Sequence, residues 1–181
     1  MIFAAPVPNA DVATQAYSAN YFGVPIEVTK GGRFGEVAPA DWEASTGDPK
    51  YKWSDVAYAP DGMAESPGFS GFTTAQILNG IGKLSMAQHT SRSAAEAAAS
   101  LDKFGFNNWL LPVSEEMRLI IDGVKSGKLN NVGLTSGGKY WTSSALGATP
   151  IVRWLSTNPA EGFSTMPRTS MNYVRPIRYF N

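Results

Sequence analysis

The chain has 181 residues, enough for one domain with a substantial hydrophobic core. Fifteen Lys and Arg residues balance fifteen Asp and Glu residues, and this zero formal charge disfavours binding to nucleic acid and electrostatic docking on a membrane. Cysteine is absent, which excludes disulfides, thiolate nucleophiles, Cys-based zinc sites and iron–sulfur clusters.

Residues 1–20 are predicted to form an extended arm. Ile2, Phe3 and Val7 are apolar, and Pro6 and Pro8 are incompatible with a helix. Such an arm is expected to dock on its own domain or on a neighbouring subunit, and the three apolar residues are its predicted assembly contacts. Neither a secretory signal peptide nor a membrane-spanning segment is predicted, because the apolar run is short and interrupted by proline.

Residues 21–181 are predicted to form a single domain that begins with a β-hairpin. Residues 24–28 alternate like a strand, Gly31-Gly32 would form the turn, and residues 34–37 would form the returning strand. Residues 41–71 are rich in Gly, Pro, Asp and Ser with interspersed aromatic residues. This composition predicts a long loop that its aromatic side chains hold in place.

Three helices are predicted next. Residues 73–76 and 93–96 both fit a capping box, and the second helix would continue through an alanine-rich run towards Gly105. The third helix would begin at Ser114, and carboxylates in its first turn favour the helix dipole. Its apolar face is predicted to contain Met117, Ile120, Ile121 and Val124.

Four strand-like segments accompany the third helix. They span residues 109–113, 139–143, 151–156 and 172–180, and the last alternates well between two faces. Helices in the middle of the chain with strands on both sides predict an α+β fold, in which the terminal strands can pair.

The chain shows no pattern that is diagnostic of catalysis or metal binding. His89 is the single histidine, and a surface or helix-capping role is expected for it. Asp48, Asp55 and Asp61 lie in the long loop and could offer oxygen ligands to calcium. Because their spacing fits no known calcium loop, they are interpreted as solvated carboxylates, and neither a cofactor nor a metal is predicted.

Four short motifs occur in order in the second half of the chain. They are N-W-L-L-P at 108–112, S-E-E-M-R-L at 114–119, Y-W-T-S-S at 140–144 and Y-V-R-P-I-R at 173–178. In this order they resemble the Lcl C-terminal domain family, whose members typically read D-W-x-L-P-[ST]-x-x-E-L, then Y-W-[ST]-S-[ST], then V-R-P-V-R. The resemblance covers about residues 21–181.

The resemblance implies a C-type-lectin-like fold with a mixed or antiparallel sheet, often found at the tips of surface, adhesive or phage virion proteins. It implies no enzymatic activity. The E-P-N, Q-P-D and W-N-D motifs of calcium-dependent sugar-binding lectins are absent from this chain, so the resemblance does not extend to calcium-dependent sugar recognition.

The residue types in these motifs also permit a purely physical interpretation. Trp109, Trp141 and Trp154 are large apolar side chains on strand-like segments and are expected to fill the core. Arg175 and Arg178 would lie on opposite faces of the last strand. A buried arginine there would need a partner carboxylate, whereas an exposed one could contact a ligand or a subunit.

A ligand or receptor site is predicted in residues 156–172, which would form a loop between the last two strands. Loops carry recognition more often than the scaffold does, although a plain polar connection explains the stretch equally well. The candidate binding residues are Asn158, Phe163, Met166, Arg168 and Asn172.

These observations predict a non-enzymatic structural protein of a virion surface, such as a phage capsid decoration or tail-fibre component that its arm anchors. Only 17% of the residues are charged, below the roughly 25% of an average domain, which favours a surface covered by other subunits, including copies of the chain. Such a protein would be made in the host cytoplasm. The alternative is a stand-alone adhesion module, at a cell surface, for a host glycan or receptor; an enzyme that uses His89 is a third reading.

Overall fold

A computed structural model describes residues 2–4, 15–21, 24–30, 34–40, 42–43, 47–56, 69–71, 74–82, 84, 87–102, 105–129, 132–146, 151–158 and 160–180. The described residues contain three helices and eleven strands, arranged in three mixed or antiparallel sheets. The predicted α+β class is therefore confirmed, while the C-type-lectin-like fold stays a prediction. No described helix has the length and apolar character needed to cross a membrane.

The elements follow one another in two groups along the chain. The first group contains strands only: β1 (Ile2–Ala4), β2 (Gln15–Tyr21), β3 (Val24–Lys30), β4 (Phe34–Val37), β5 (Lys50–Lys52) and β6 (Phe69–Gly71). The second group contains three helices followed by five strands: α1 (Thr74–Gly82), α2 (Ala94–Ala99), α3 (Ser114–Lys125), β7 (Lys139–Leu146), β8 (Ile151–Ser156), β9 (Phe163–Pro167), β10 (Met171–Tyr173) and β11 (Ile177–Phe180).

The largest sheet has six strands in the order β5-β10-β7-β8-β9, with β6 paired to β7 beside this path. Strands β7, β8 and β9 are antiparallel neighbours, whereas β10 meets β7 in parallel through Tyr173 and Tyr140. A three-stranded antiparallel sheet has the order β1-β4-β11, and β2 pairs with β3 in a separate ribbon.

The last part of the chain contributes to two sheets, which corrects the single strand predicted over residues 172–180. Strand β10 pairs with β5, whereas β11 pairs with β4. Pro176 has no N–H to donate to a ladder, and its carbonyl accepts a hydrogen bond from the Ala38 amide at 2.9 Å. The chain therefore leaves one sheet and enters the other at residues 174–176.

The predicted hairpin of residues 24–28 and 34–37 is wrong. Strand β3 pairs with β2 instead, and β4 lies between β1 and β11. The sequence of β2, Q-A-Y-S-A-N-Y, has no β-branched residue, so its strand signal is weak. Of the predicted arm, residues 2–4 pair with β4 of the same chain, whereas Val7 lies outside the described residues.

The predicted tryptophan core is confirmed. Trp109, Trp141 and Trp154 are at most 5% exposed, and Trp42 and Trp53 from the long loop are buried with them. The segment 109–113 is not a strand, however. Leu110 forms an isolated bridge with Ile177, with hydrogen bonds of 2.7 and 2.9 Å, and the Pro112 carbonyl accepts the Ser143 amide at 2.7 Å.

The helices follow the predicted pattern, with one difference in length. The capping box of α2 is present, because the Ser93 amide donates to the Glu96 carboxylate at 2.7 Å while the Glu96 amide donates to the Ser93 hydroxyl at 3.3 Å. Helix α2 ends at Ala99 and is therefore shorter than predicted, since the prediction continued it towards Gly105. Helix α3 begins at Ser114 and buries Met117, Ile120 and Ile121 as predicted.

Candidate functional site

An open cleft of about 400 Å³ borders β10, and we refer to it as the β10 cleft. Five parts of the chain supply its walls: β5, the turn before β7, the start of β7, β9 and β10. The described lining residues are Lys50, residues 135–139, Met166 and residues 171–173.

One wall of the β10 cleft is a tight turn at residues 135–138. The Gly138 amide donates to the Thr135 carbonyl at 2.9 Å, and Gly137 has a φ of +66°. A positive φ at the third residue of a β-turn favours glycine there, as in type II turns. Thr157 holds both ends of the turn in place. Its hydroxyl donates to the Thr135 carbonyl at 2.8 Å, and its amide donates to the Gly138 carbonyl at 3.0 Å.

A buried polar network holds this turn against the core. The Thr135 amide donates to the Tyr140 hydroxyl at 2.8 Å, and that hydroxyl donates to Asp48 at 2.5 Å. Arg175 donates to both oxygens of Asp48, each at 2.6 Å, and both side chains are fully buried. The same guanidinium donates to the carbonyls of residues 38, 132 and 133. The cleft wall is therefore linked, through the Tyr140 side chain, to the ion pair of Asp48 and Arg175.

Burial governs the proton equilibria of this network. Burial raises the pKa of the Asp48 carboxyl above its ordinary value, and the Arg175 guanidinium and the Tyr140 hydrogen bond oppose that rise. Burial, together with the negative charge of Asp48, raises the pKa of the Tyr140 phenol well above 10. Tyr140 is therefore a hydrogen-bond donor to Asp48 throughout the neutral range.

The β10 cleft has a positive local charge in a chain whose formal charge is zero. Lys50 and Lys139 line it, and its described lining includes no Asp or Glu. The Lys50 Nζ lies 4.6 Å from the centroid of the Tyr173 ring, and the Lys139 Nζ lies 4.7 Å from that of Trp154. Aromatic faces hold cations without neutralising them, so the cleft suits a ligand with an anionic group.

Two of the five predicted binding residues, Met166 and Asn172, lie together in this cleft. Asn172 is buried and its amide donates to the Met166 sulfur at 3.1 Å. The remaining three lie elsewhere. Asn158 caps the turn before β9, because its side-chain oxygen accepts the Ala160 amide at 3.1 Å. Phe163 is 40% exposed on β9.

The prediction that residues 156–172 form a loop is wrong, because they contain β9 and the first part of β10. The sequence of β9, F-S-T-M-P, mixes polar and apolar residues and ends in proline, so its strand signal is weak. Arg168 is also buried, at 1% exposure, with its guanidinium 4.9 Å from the Trp53 ring centroid. Its carbonyl accepts the amides of Trp53 and Ser54, so this residue joins the long loop to the end of β9.

A second open cleft, of about 430 Å³, lies beside α2 and is lined in part by His89. The His89 Nε2 lies 2.9 Å from Glu96, the carboxylate of the α2 capping box. Such a contact agrees with the predicted role near a helix entrance. The side chains of Thr90 and Ser91 donate to Asp55 and that of Arg92 donates to Glu43, so this cleft offers few polar groups to a ligand and is the weaker candidate site.

The interpretation of the loop acids as solvated carboxylates is wrong for the two that the structure describes. Asp48 is buried with Arg175, and the Asp55 side chain is 4% exposed. Asp55 accepts the amides of Thr90 and Ser91 at 2.7 and 2.6 Å. Asp61 lies outside the described residues, among which no cluster of three or more His, Asp or Glu could hold a metal ion.

Sequence reasoning missed Lys50 and Lys139, which define the charge of the cleft. They are far apart in the chain and meet only because β5 and β7 both neighbour β10. No local pattern could have paired them. A scan against protein-family models gives no match for this chain, and a search of curated proteins gives none either.

Proposed function

We propose that this chain is a non-enzymatic structural and binding protein of a surface assembly, such as a phage capsid decoration or tail-fibre component, and that the β10 cleft is its binding site. The observation that carries the binding role is the pair Lys50 and Lys139 in a cleft without a described carboxylate. The wall at residues 135–138 is fixed by hydrogen bonds to the core. A preformed site loses little conformational entropy when it binds a ligand.

The ionisable groups near the cleft support a binding role over a catalytic one. Asp48 is engaged by both Arg175 and Tyr140, and burial keeps the Tyr140 phenol protonated. General acid–base catalysis needs a group whose pKa lies near the working pH. Among the described lining residues of the β10 cleft there is no His, Asp or Glu to serve in that way.

The virion setting rests on the sequence. The four ordered motifs resemble a family whose fold occurs on phage and cell surfaces, and the low charge content suits a covered surface. Residues 2–4 of the arm pair with β4 of the same chain, and we expect the arm of residues 1–10 to contact neighbouring subunits, including copies of the chain, in addition to that pairing. A variant that begins at Asp11 should fail to incorporate into particles while the full chain incorporates. Full incorporation of the shortened chain would contradict the anchoring role.

The binding site is tested with lysine variants. Lys50→Gln with Lys139→Gln should weaken binding to a glycan or receptor probe at least about tenfold, because charge-assisted hydrogen bonds are lost. Lys128→Gln is the matched control, because Lys128 is an exposed lysine outside the cleft. An array of neutral and acidic glycans, read with all three proteins, would identify the ligand class. Equal binding by the double variant would rule out the β10 cleft.

A stand-alone adhesion module for a host glycan or receptor is the second candidate function. The open cleft favours it, because Lys50 and Lys139 of one chain could supply charge-assisted hydrogen bonds to an anionic group. The two candidates differ in their dependence on other virion subunits. Glycan or receptor binding by the purified chain, together with its absence from purified particles, would favour the stand-alone module.

A further inference from the structure

The two edges of the six-stranded sheet differ in a way that points to a partner. Strand β5 forms one edge and carries Lys50 and Lys52, and a β-bridge from Lys52 to Ser93 covers part of it. Strand β9 forms the other edge and contains no charged residue. Natural sheets protect open edges with charges, with proline or with covering segments, and of these devices β9 has a proline at its last residue, Pro167. In the described part of the chain, β9 pairs with β8 alone.

The hydrogen-bond pattern shows which backbone groups of β9 face outward. The Ser156 amide donates to the Gly162 carbonyl at 3.1 Å, so residues 156 and 162 form a hydrogen-bonded pair. In an antiparallel ladder these pairs alternate with pairs that are not hydrogen bonded. Ser164, opposite Trp154, therefore directs its N–H and C=O towards β8, whereas Thr165, opposite Arg153, directs its own groups away.

We infer that β9 pairs with β9 of a second copy of this chain, antiparallel and with a two-fold axis at Thr165. The two Thr165 residues would exchange backbone hydrogen bonds across the axis, and their side chains would form a favourable cross-strand pair. In this register Phe163, which is 40% exposed, lies opposite the exposed Pro167 of the second copy, and the two share a single backbone hydrogen bond because Pro167 has no N–H to donate. Each Phe163 ring would thus lose exposed apolar surface.

The charges around the strand are compatible with this register. Glu161 would lie opposite Thr169 of the second copy, so no like charges face each other across the axis. The zero formal charge of the chain also removes long-range repulsion between copies. The paired edge has only five residues, so we expect a weak dimer with a Kd of roughly 10–100 µM rather than a permanent one.

The dimer would place a β10 cleft on each side of the axis, because Met166 of β9 belongs to the cleft lining. Two clefts held in one dimer can bind a repeated ligand with avidity. This consequence depends on the proposed function, whereas the pairing of β9 does not.

The absence of cysteine allows a direct test. In the proposed register the two Thr165 Cα atoms are about 5.5 Å apart, within the range that a disulfide spans. Thr165→Cys should therefore form a disulfide-linked dimer in a glutathione redox buffer. Ser164→Cys is the matched control: its two copies lie on opposite sides of the axis, too far apart to be bridged, and should remain monomeric. Equal cross-linking of both variants, or of neither, would overturn the register.

The unmodified chain tests the pairing itself by sedimentation velocity over about 5 to 500 µM. A rising mean mass is expected, and Thr165→Lys should abolish the rise because it places like charges opposite each other. Ser126→Lys adds the same charge beyond α3 and should dimerise like the parent. A parent chain that stays monomeric at the highest concentration, or a Thr165→Lys variant that still dimerises, would overturn the inference.

Discussion

The ion pair of Asp48 and Arg175 should be the most sensitive point of the fold. Asp48→Asn removes the negative charge and keeps the size of the side chain, so it leaves a fully buried guanidinium without its counter-charge. Breaking a buried pair in this way costs about 3–5 kcal/mol. The three backbone carbonyls that also accept from Arg175 remain in place, so we expect a loss near the lower figure, about 3 kcal/mol.

Urea unfolding followed by tryptophan fluorescence measures this loss, since the chain has five tryptophans. With an m-value of roughly 2 kcal/mol/M, the midpoint should fall by about 1.5 M. Adding Arg175→Met should cost less than the sum of the single changes, because the second change removes the unpaired charge. Glu43→Gln is the control. It breaks a pair with Arg92 in which the side chains are 26% and 40% exposed, and should cost at most about 1 kcal/mol. An Asp48→Asn loss below about 1 kcal/mol, or strict additivity, would refute the reasoning.

Three further predictions concern the polar groups around the two clefts. Burial alone would raise the pKa of Asp55, but hydrogen bonds from Ser91, Lys52 and Thr90 lower it overall. A lowered pKa means that the ionised Asp55 stabilises the folded state. That contribution is present above the unfolded carboxyl pKa of about 4 and is lost as the pH falls below it. Asp55→Asn should therefore lose less stability than the parent between pH 7 and pH 3, measured by urea unfolding, and an equal loss would contradict this assignment. Tyr140→Phe should lower the free energy of unfolding by about 1–3 kcal/mol, because Asp48 and the Thr135 amide lose their common partner; an unchanged urea midpoint would count against the network. Gly137→Ala should cost about 1 kcal/mol through its positive φ alone, and Gly138→Ala should cost more because the new Cβ would lie 2.7 Å from the Thr135 carbonyl oxygen; thermal unfolding of both variants checks the order.

Local patterns predicted the elements that local physics determines. The capping box at Ser93 and the start of α3 at Ser114 were read from side chains within a few residues of the helix end. The span of β8 matches the predicted 151–156, because Ile151 and Val152 are β-branched and Trp154 is aromatic. The burial of the tryptophans followed from their size and apolar character alone.

Contacts between distant segments could not be predicted in this way. Asp48 and Arg175 are 127 residues apart, and nothing near either one identifies its partner. The sequence indicated that a buried arginine at 175 would need a carboxylate. It contains 15 acidic residues, and nothing local singles out one of them as the partner. The same limit applies to the β10 cleft, whose two lysines are brought together by the order of strands in the sheet.

The division of residues 171–180 between two sheets has a consequence for co-translational folding. Strand β10 completes the contact between β5 and β7, and β11 adds the third strand to the sheet that contains β4. Strands β4 (Phe34–Val37) and β5 (Lys50–Lys52) must wait for more than half of the chain to be synthesised, whereas β7 is made shortly before β10. Contacts of such long sequence separation form slowly. Neither sheet can be completed before residues 171–180 have left the ribosome, and until then β4 and β5 lack these partner strands.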